Sequence, residues 1–463
     1  MSRLLLALCA LLLAGIAPAG AQAPEPEPLS AYVGADVLDV RSGVMNRDQV
    51  ILVRGERIEA LLPPGARARL PDGAAVVDVR GLYAAPGFID THQHVAMWHD
   101  RPMSEAYLRR EIYSGVTAIR DMGGDARLLA YLQRASLAGE IDAPEIDYVA
   151  MVAGPAHFSD HRLAPLTRGT RPPGQIPWLR GVDASTDLRQ VIAEAKGTGA
   201  SAIKLYSDLS PELVRALSAE AHRQGLKVWA HAIVFPQRPS DLVHSGVDTV
   251  SHVCMLAYEA SREVPRRYAW PRPAVDEAAL AGREAHPAMV PVFAEMARRG
   301  IVLDATVFVY DEIERRRAAA GDPAHAPPTY CSLDLSIRLT AQAHRAGVPV
   351  STGTDAYVPA SSAWPALFYE LDFLAKAGFT PLEAIRAATL NGARALGRDD
   401  LGALEPGKLA NIAFFSRNPL EGGDAFRSVV LTVKRGRQYR RAAYAPVKEE
   451  ELTEGWAGRT RSR

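Results

Sequence analysis

The rhythm of apolar and polar positions changes three times along the chain. Leu4 to Leu13 is an almost unbroken apolar run behind Arg3, followed by the small residues Ala17-Pro18-Ala19-Gly20-Ala21. That order of charged, apolar and small segments predicts a secretory signal peptide over residues 1–21, cleaved after Ala21. Ala23 is the competing site, but a cut there leaves Pro24 immediately behind it. The run of about ten apolar residues is too short to cross ~30 Å of hydrocarbon, and no later stretch comes closer. The expected mature chain is therefore periplasmic or secreted, with no stable membrane anchor. Cys9 lies inside the apolar run behind the bulky Leu8, which argues against lipidation. The Pro-Glu alternation within 22–29 reads as an extended linker.

From 30 to 85 short β-rich runs alternate with Gly, Asp and Pro turns: Asp36 to Val40, Gln49 to Arg54, Arg57 to Leu61 and Ala75 to Val79. This predicts a small antiparallel unit. From 86 to 401 the rhythm becomes strand then helix. Candidate strands lie at Gly87 to Asp90, Val116 to Arg120, Glu145 to Val152, Ala202 to Leu205, Lys227 to Ala230, Thr249 to His252, Ile301 to Ala305 and Val348 to Thr352. Strands in this alternating order predict an α/β fold, a (β/α)8 TIM barrel rather than a doubly wound sheet. Helix punctuation agrees: Ser210-Pro211 opens a helix that Gly225 closes, and Thr380-Pro381-Leu382-Glu383 has the form of a capping box. β-rich character returns over 402–446, so both chain ends are expected to build one small β-sandwich domain. Residues 447–463 form a charged tail, and no tandem repeat is evident.

Composition narrows the class further. With 463 residues, 48% hydrophobic and 23% charged, the chain is neither a disulfide miniprotein nor disordered. Its 53 basic and 53 acidic residues cancel, so no global charge draws it to nucleic acid or an anionic membrane. Only seven of the basic residues are lysines, at 196, 204, 227, 376, 408, 434 and 448. Without Cys9, two cysteines remain, Cys254 and Cys331. Their wide separation in sequence reads as two separate buried thiols, so disulfides are not expected to organise the fold.

In such a barrel, side chains at the C-terminal ends of the strands share one mouth. Those ends carry His92 and His94, Lys204, His231, His252 and Asp355. Residues two apart on a strand face the same side, so His92 and His94 can hold one ion together. Only a primary amine can take up carbon dioxide as a carbamate, and a buried amine near cations has the lowered pKa that frees it to react. Lys204 can thus become a metal-ligand type, against the plainer reading of an ion-paired lysine at the mouth. Without a carbamate, His92, His94, His231 and Asp355 would form a single-metal site.

The chain resembles the amidohydrolase superfamily, nearest its imidazolonepropionase-like and prolidase-like hydrolases. The resemblance rests on Pro86-Gly87-Phe88-Ile89-Asp90-Thr91-His92-Gln93-His94, Ile203-Lys204-Leu205, Ala230-His231-Ala232, Val250-Ser251-His252, Gly353-Thr354-Asp355 and Glu405-Pro406-Gly407-Lys408-Leu409-Ala410-Asn411. It implies a hydrolase with two divalent ions, usually zinc, bridged by a carboxylated lysine. His92, His94 and Asp355 would hold one ion, and His231 and His252 the other, with carboxylated Lys204 and a hydroxide between them. Asp355 would act as general base and acid. His157 would bind the substrate carbonyl, by analogy with a histidine the family often has there.

Two insertions, after the third strand and at Leu256 to Pro291, carry Arg162, Arg168, Arg171, Arg180, Arg262, Arg266, Arg267 and Arg272 with Trp178 and Trp270. Arginine with aromatics at the mouth suits a carboxylate-bearing dipeptide or N-acyl amino acid, although solvated loops in an Arg-rich chain would look alike. Peptidase-like members often have His-Ala-Tyr where this chain has His231-Ala232-Ile233, and Glu-His-Gly where it has Ser251-His252-Val253. The expected activity is cleavage of an amide C–N bond in a small peptide-like or N-acyl substrate. The alternatives are an ester, lactone or phosphotriester at the same site, or a silent binding protein. A homo-oligomer stays open.

Overall fold

The computed structural model describes residues 27–451 apart from 67–69, 98–99, 269–271, 283 and 322–328. The signal peptide, most of the linker, Cys9, His99, Trp270, His325 and the tail from 452 lie outside the described residues.

The chain opens with β1 (Leu29–Leu38), β2 (Met45–Arg54), β3 (Arg57–Leu62), β4 (Ala75–Asp78) and β5 (Tyr83–Pro86). The barrel strands are β6 (Phe88–Gln93), β7 (Val116–Asp121), β8 (Glu145–Ala153), β11 (Ala202–Leu205), β12 (Lys227–His231), β13 (Thr249–Ser251), β14 (Val302–Asp304) and β15 (Val350–Ser351). The short β9 (Gln175–Ile176) and β10 (Leu179–Gly181) lie beside β8. β16 (Ile412–Phe415), β17 (Val429–Lys434) and β18 (Arg437–Arg440) return to the first sheet.

That sheet runs β18-β17-β16-β5-β1-β2-β3, with β4 also on β1, so both chain ends build one domain. The N-terminal unit is not purely antiparallel. β1, β2 and β3 reverse at two tight turns, and the loop after β3 then carries the chain back, so β4 and β5 pair with β1 in parallel. A bulge in β1 is made by Gly34, whose φ of +93° a side chain would strain. The domain core gathers Tyr32, Ile51, Val53, Ile412, Phe414 and Val433. Tyr32 and Phe414 stack at 5.4 Å.

β6-β7-β8-β11-β12-β13-β14-β15 are parallel neighbours. The ring closes where the Thr91 amide donates to the Thr352 carbonyl at 2.7 Å. Helices cross between strands, and their ends follow local chemistry. Ser210 accepts from the Leu213 amide, and Thr380 and Glu383 cap each other reciprocally, each arrangement contributing about 1 kcal/mol.

The two-residue period of the strands sorts the barrel interior into layers. Ala202, Trp229 and Val302 sit low, and Lys204, His231 and Asp304 come two residues later, towards the mouth. Arg120 closes the floor beneath them, with its guanidinium 4.8 Å from the Trp229 ring and its donors on the Ala395 and Leu396 carbonyls.

Cys254 and Cys331 are not separate thiols: they form a disulfide, with Cα atoms 6.1 Å apart. The segments after β13 and before the helix Leu333–Arg345 meet at one side of the mouth, a proximity that a separation of 77 positions hides in sequence.

Candidate metal centre

The structure brings His92, His94, Lys204, His231, His252 and Asp355 to one end of the barrel. One ligand atom from each of His92, His94 and Asp355 lies within 4.8 Å of the others, a candidate metal site. Asp355 Oδ1 is 3.1 Å from His94 Nε2 and 3.6 Å from His92 Nε2, and its Oδ2 is 3.7 Å from His252 Nδ1. The His92 and His252 rings are 4.9 Å apart, and those of His231 and His252 5.0 Å. His252 and Asp355 take left-handed backbone conformations, with φ of +71° and +49°. Such geometry is costly for residues with side chains and is concentrated at functional sites.

Electrostatics prepare these donors. Burial pushes the His92, His231 and His252 imidazoles well below the usual histidine value, so each stays neutral and keeps a lone pair. Burial opposes ionisation of Asp355, but its carboxyl is held well below the carboxylate range, with His94 Nε2 hydrogen-bonding it at 3.1 Å. Burial also lowers the Lys204 amine to about 8, against the pull of Asp355, Asp304 and Asp121. Lys204 Nζ donates to the Met122 carbonyl at 3.2 Å. The Nε2 atoms of His92 and His231 are buried with no hydrogen-bond partner. Such orphans are expensive unless something else takes the lone pair, and a divalent cation fits this donor set.

His157 follows β8 and is buried against the Tyr206 ring, with centroids 4.3 Å apart. Its Nδ1 lies 3.1 Å from Ser207 Oγ, and its Nε2 is buried without a partner. Burial lowers its pKa to about 4, so it is a neutral ring. Of the insertion arginines, Arg262, Arg266 and Arg267 point to solvent. Arg162 instead donates to Tyr268 Oη at 2.8 Å, which joins the two insertions above the mouth.

The sequence reasoning did not single out Asp304. Its Oδ2 lies 2.6 Å from His92 Nδ1 and accepts from Ser251 Oγ at 2.9 Å, while its Oδ1 accepts from Thr91 Oγ1 at 3.2 Å. This orients His92 with its Nε2 towards Asp355. An acid in the otherwise apolar run Ile301-Val302-Leu303 was the available signal. Asp90 was missed too; it accepts from the His92 and Thr354 amides, Gln93 Nε2 and Thr354 Oγ1 and ties β6 to the loop of Asp355. Gly353 has no space for a side chain: a Cβ there would overlap Asp304 Oδ1 and come within 2.7 Å of His92 Cβ.

Barrel, discontinuous β domain and strand-end histidines together define a metallohydrolase-type fold and site. The family described as "Amidohydrolase family" matches residues 83–439, and the chain belongs to it. It is 24% identical over 441 residues to adenine deaminase 2 of Bradyrhizobium sp. (strain ORS 278), covering 91% of this chain and 62% of that relative. The chain thus spans less than two thirds of that protein. It is 26% identical over 399 residues to the imidazolonepropionase of Ruegeria sp. (strain TM1040), covering 79% of this chain and 86% of that one. A solved structure of a Xaa-Pro dipeptidase with bound methionine shares the fold, with a TM-score of 0.66, 18% identity and coverage of 89% and 100%. Among the described residues, no helix is long and apolar enough to cross a membrane.

Proposed function

We propose that the chain is an exported, metal-dependent hydrolase that cleaves the amide C–N bond of a small peptide-like or N-acyl amino acid substrate. The observation that carries this reading is the convergence of six donor residues on one barrel mouth, with buried, unpartnered nitrogens on His92 and His231. A relative named as an adenine deaminase and a fold neighbour named as a dipeptidase support a C–N bond. The disulfide supports export, because such bonds persist in oxidising compartments.

His92, His94 and Asp355 would hold one divalent ion and His231 and His252 a second, probed first with zinc, with Lys204 between them as a carbamate. The low pKa of its buried amine favours the uncharged form that takes up carbon dioxide. Such ions lower the pKa of water and polarise a carbonyl. Asp355 accepts the proton of the attacking water and returns it to the leaving nitrogen. In the tautomer that accepts from Ser207 at Nδ1, His157 would carry its ring proton on Nε2 and donate it to the substrate's carbonyl oxygen.

The test is protein starting at Gln22, assayed with and without chelator on dipeptides, N-acyl amino acids, aryl esters and phosphotriesters. Chelator-sensitive amide cleavage is expected. Turnover of esters or phosphotriesters faster by orders of magnitude would overturn the amide assignment.

A further inference from the structure

Resting on that reading, the structure names a chemical class for the substrate. We propose that Arg272, packed against the rings of Tyr268 and Tyr330, is the specificity residue that binds a carboxylate of the substrate, so the preferred substrate is an anionic amide.

Tyr206 leads from the metal centre to this clamp. Its ring lies 3.9 Å from that of His231 and 5.6 Å from that of Tyr268. The guanidinium of Arg272 is 5.4 Å from the Tyr268 centroid and 5.2 Å from the Tyr330 centroid. Packing against aromatic faces restricts the orientation of a guanidinium, and its planar fork matches a carboxylate bidentately. The clamp is tied to the site covalently and by hydrogen bonds. Cys331, next to Tyr330, is bonded to Cys254, two residues beyond His252. Tyr330 Oη lies 2.8 Å from the Oη of buried Tyr310. Arg162 steadies Tyr268 from the other insertion. The Tyr268 ring also lies 5.1 Å from that of His157, which sets the clamp beside the mouth.

Strand β12 itself offers no anchor, because the residue two beyond His231 is Ile233, buried and apolar. Arg272 supplies from the insertion a carboxylate partner that the barrel wall lacks. Two tests separate this inference from the amide reading. The first compares kcat/KM for a panel of N-acetyl amino acids with their neutral primary amides in wild type, Arg272→Met and Arg272→Lys, with thermal melts to establish folding. Wild type should favour the acids. Arg272→Met should reduce the acid-to-amide ratio about 10–150-fold, mainly through KM, the range expected for losing a charged hydrogen bond. Arg272→Lys should fall between.

The second is calorimetric titration with N-methanesulfonyl amino acids, which carry the carboxylate but no hydrolysable amide, and with their amides. Binding of the acids that depends on Arg272, without hydrolysis of any amide, would retain the anion subsite and reject the amide reading. Hydrolysis with no acid preference, or an acid-to-amide ratio unchanged in Arg272→Met, would reject the subsite. Failure of wild type to bind any of the sulfonyl acids would also reject it.

Discussion

Replacing Asp304 by asparagine isolates how the barrel aims its first histidine. Asp304 is fully buried, and its two oxygens serve His92 Nδ1, Ser251 Oγ and Thr91 Oγ1. Asparagine keeps the shape but carries no charge and only one acceptor oxygen. Turned to face His92, that oxygen still receives the Nδ1 proton, while the Thr91 hydroxyl can rotate to accept from the amide. A charge-assisted bond thus becomes a neutral one, a loss of about 1–1.5 kcal/mol. Burial has pushed the Asp304 carboxyl up to about 7, and the neutral side chain escapes that desolvation cost, so the net change in stability should be small. Metal affinity is the sensitive readout. Losing the partner that orients a ligating histidine weakens binding about 10–100-fold. Competition against a chromophoric chelator should show that loss in Asp304→Asn. Asp304→Ala strands three buried groups and should also lose roughly 3–5 kcal/mol of stability in a denaturant melt. Wild-type affinity in Asp304→Asn would refute the claim that Asp304 sets the orientation of His92.

Asp355→Asn should lower kcat by about 10²–10⁴-fold while reducing bound metal far less, measured by steady-state kinetics beside elemental analysis; equal losses would make Asp355 a ligand only. Gly353→Ala forces Asp304 and His92 apart and should abolish metal binding even where circular dichroism shows a folded barrel. Removing the disulfide with Cys254→Ala and Cys331→Ala should cost roughly 2–5 kcal/mol in a denaturant melt, since it closes a long loop; unchanged stability would show that the loop is held by packing alone. Glu370 is buried and accepts from the Val307 and Phe308 amides, and burial raises its carboxyl to about 8 from 4.5. The folded state therefore retains a proton that the unfolded chain gives up, so stability falls as pH rises from about 4.5 to 8. Glu370→Gln should flatten that slope in thermal melts, and an unchanged slope would reject the assignment.

The barrel was legible because each strand is a short apolar run that ends on a polar residue. That pattern located His92, Lys204, His231 and His252, and the capping box at Thr380 located a helix start. Parallel pairing of β1 with β4 and β5 was not legible, because it depends on where the loop after β3 returns the chain. The disulfide was misread for a similar reason, since nothing local brings Cys254 and Cys331 together. Asp304 stood in view as an acid ending an apolar strand, yet its importance lies in a hydrogen bond to a residue 212 positions away. Arg272 was indistinguishable in sequence from Arg262, Arg266 and Arg267; only the rings of Tyr268 and Tyr330 set it apart.

Diffraction at the absorption edge of the loaded metal decides whether His92, His94, Lys204, His231, His252 and Asp355 hold metal at the barrel mouth. Two anomalous peaks are expected, one beside His92, His94 and Asp355 and one beside His231 and His252, with density continuous from Lys204 between them. Reconstituted crystals without a peak at the mouth would contradict it.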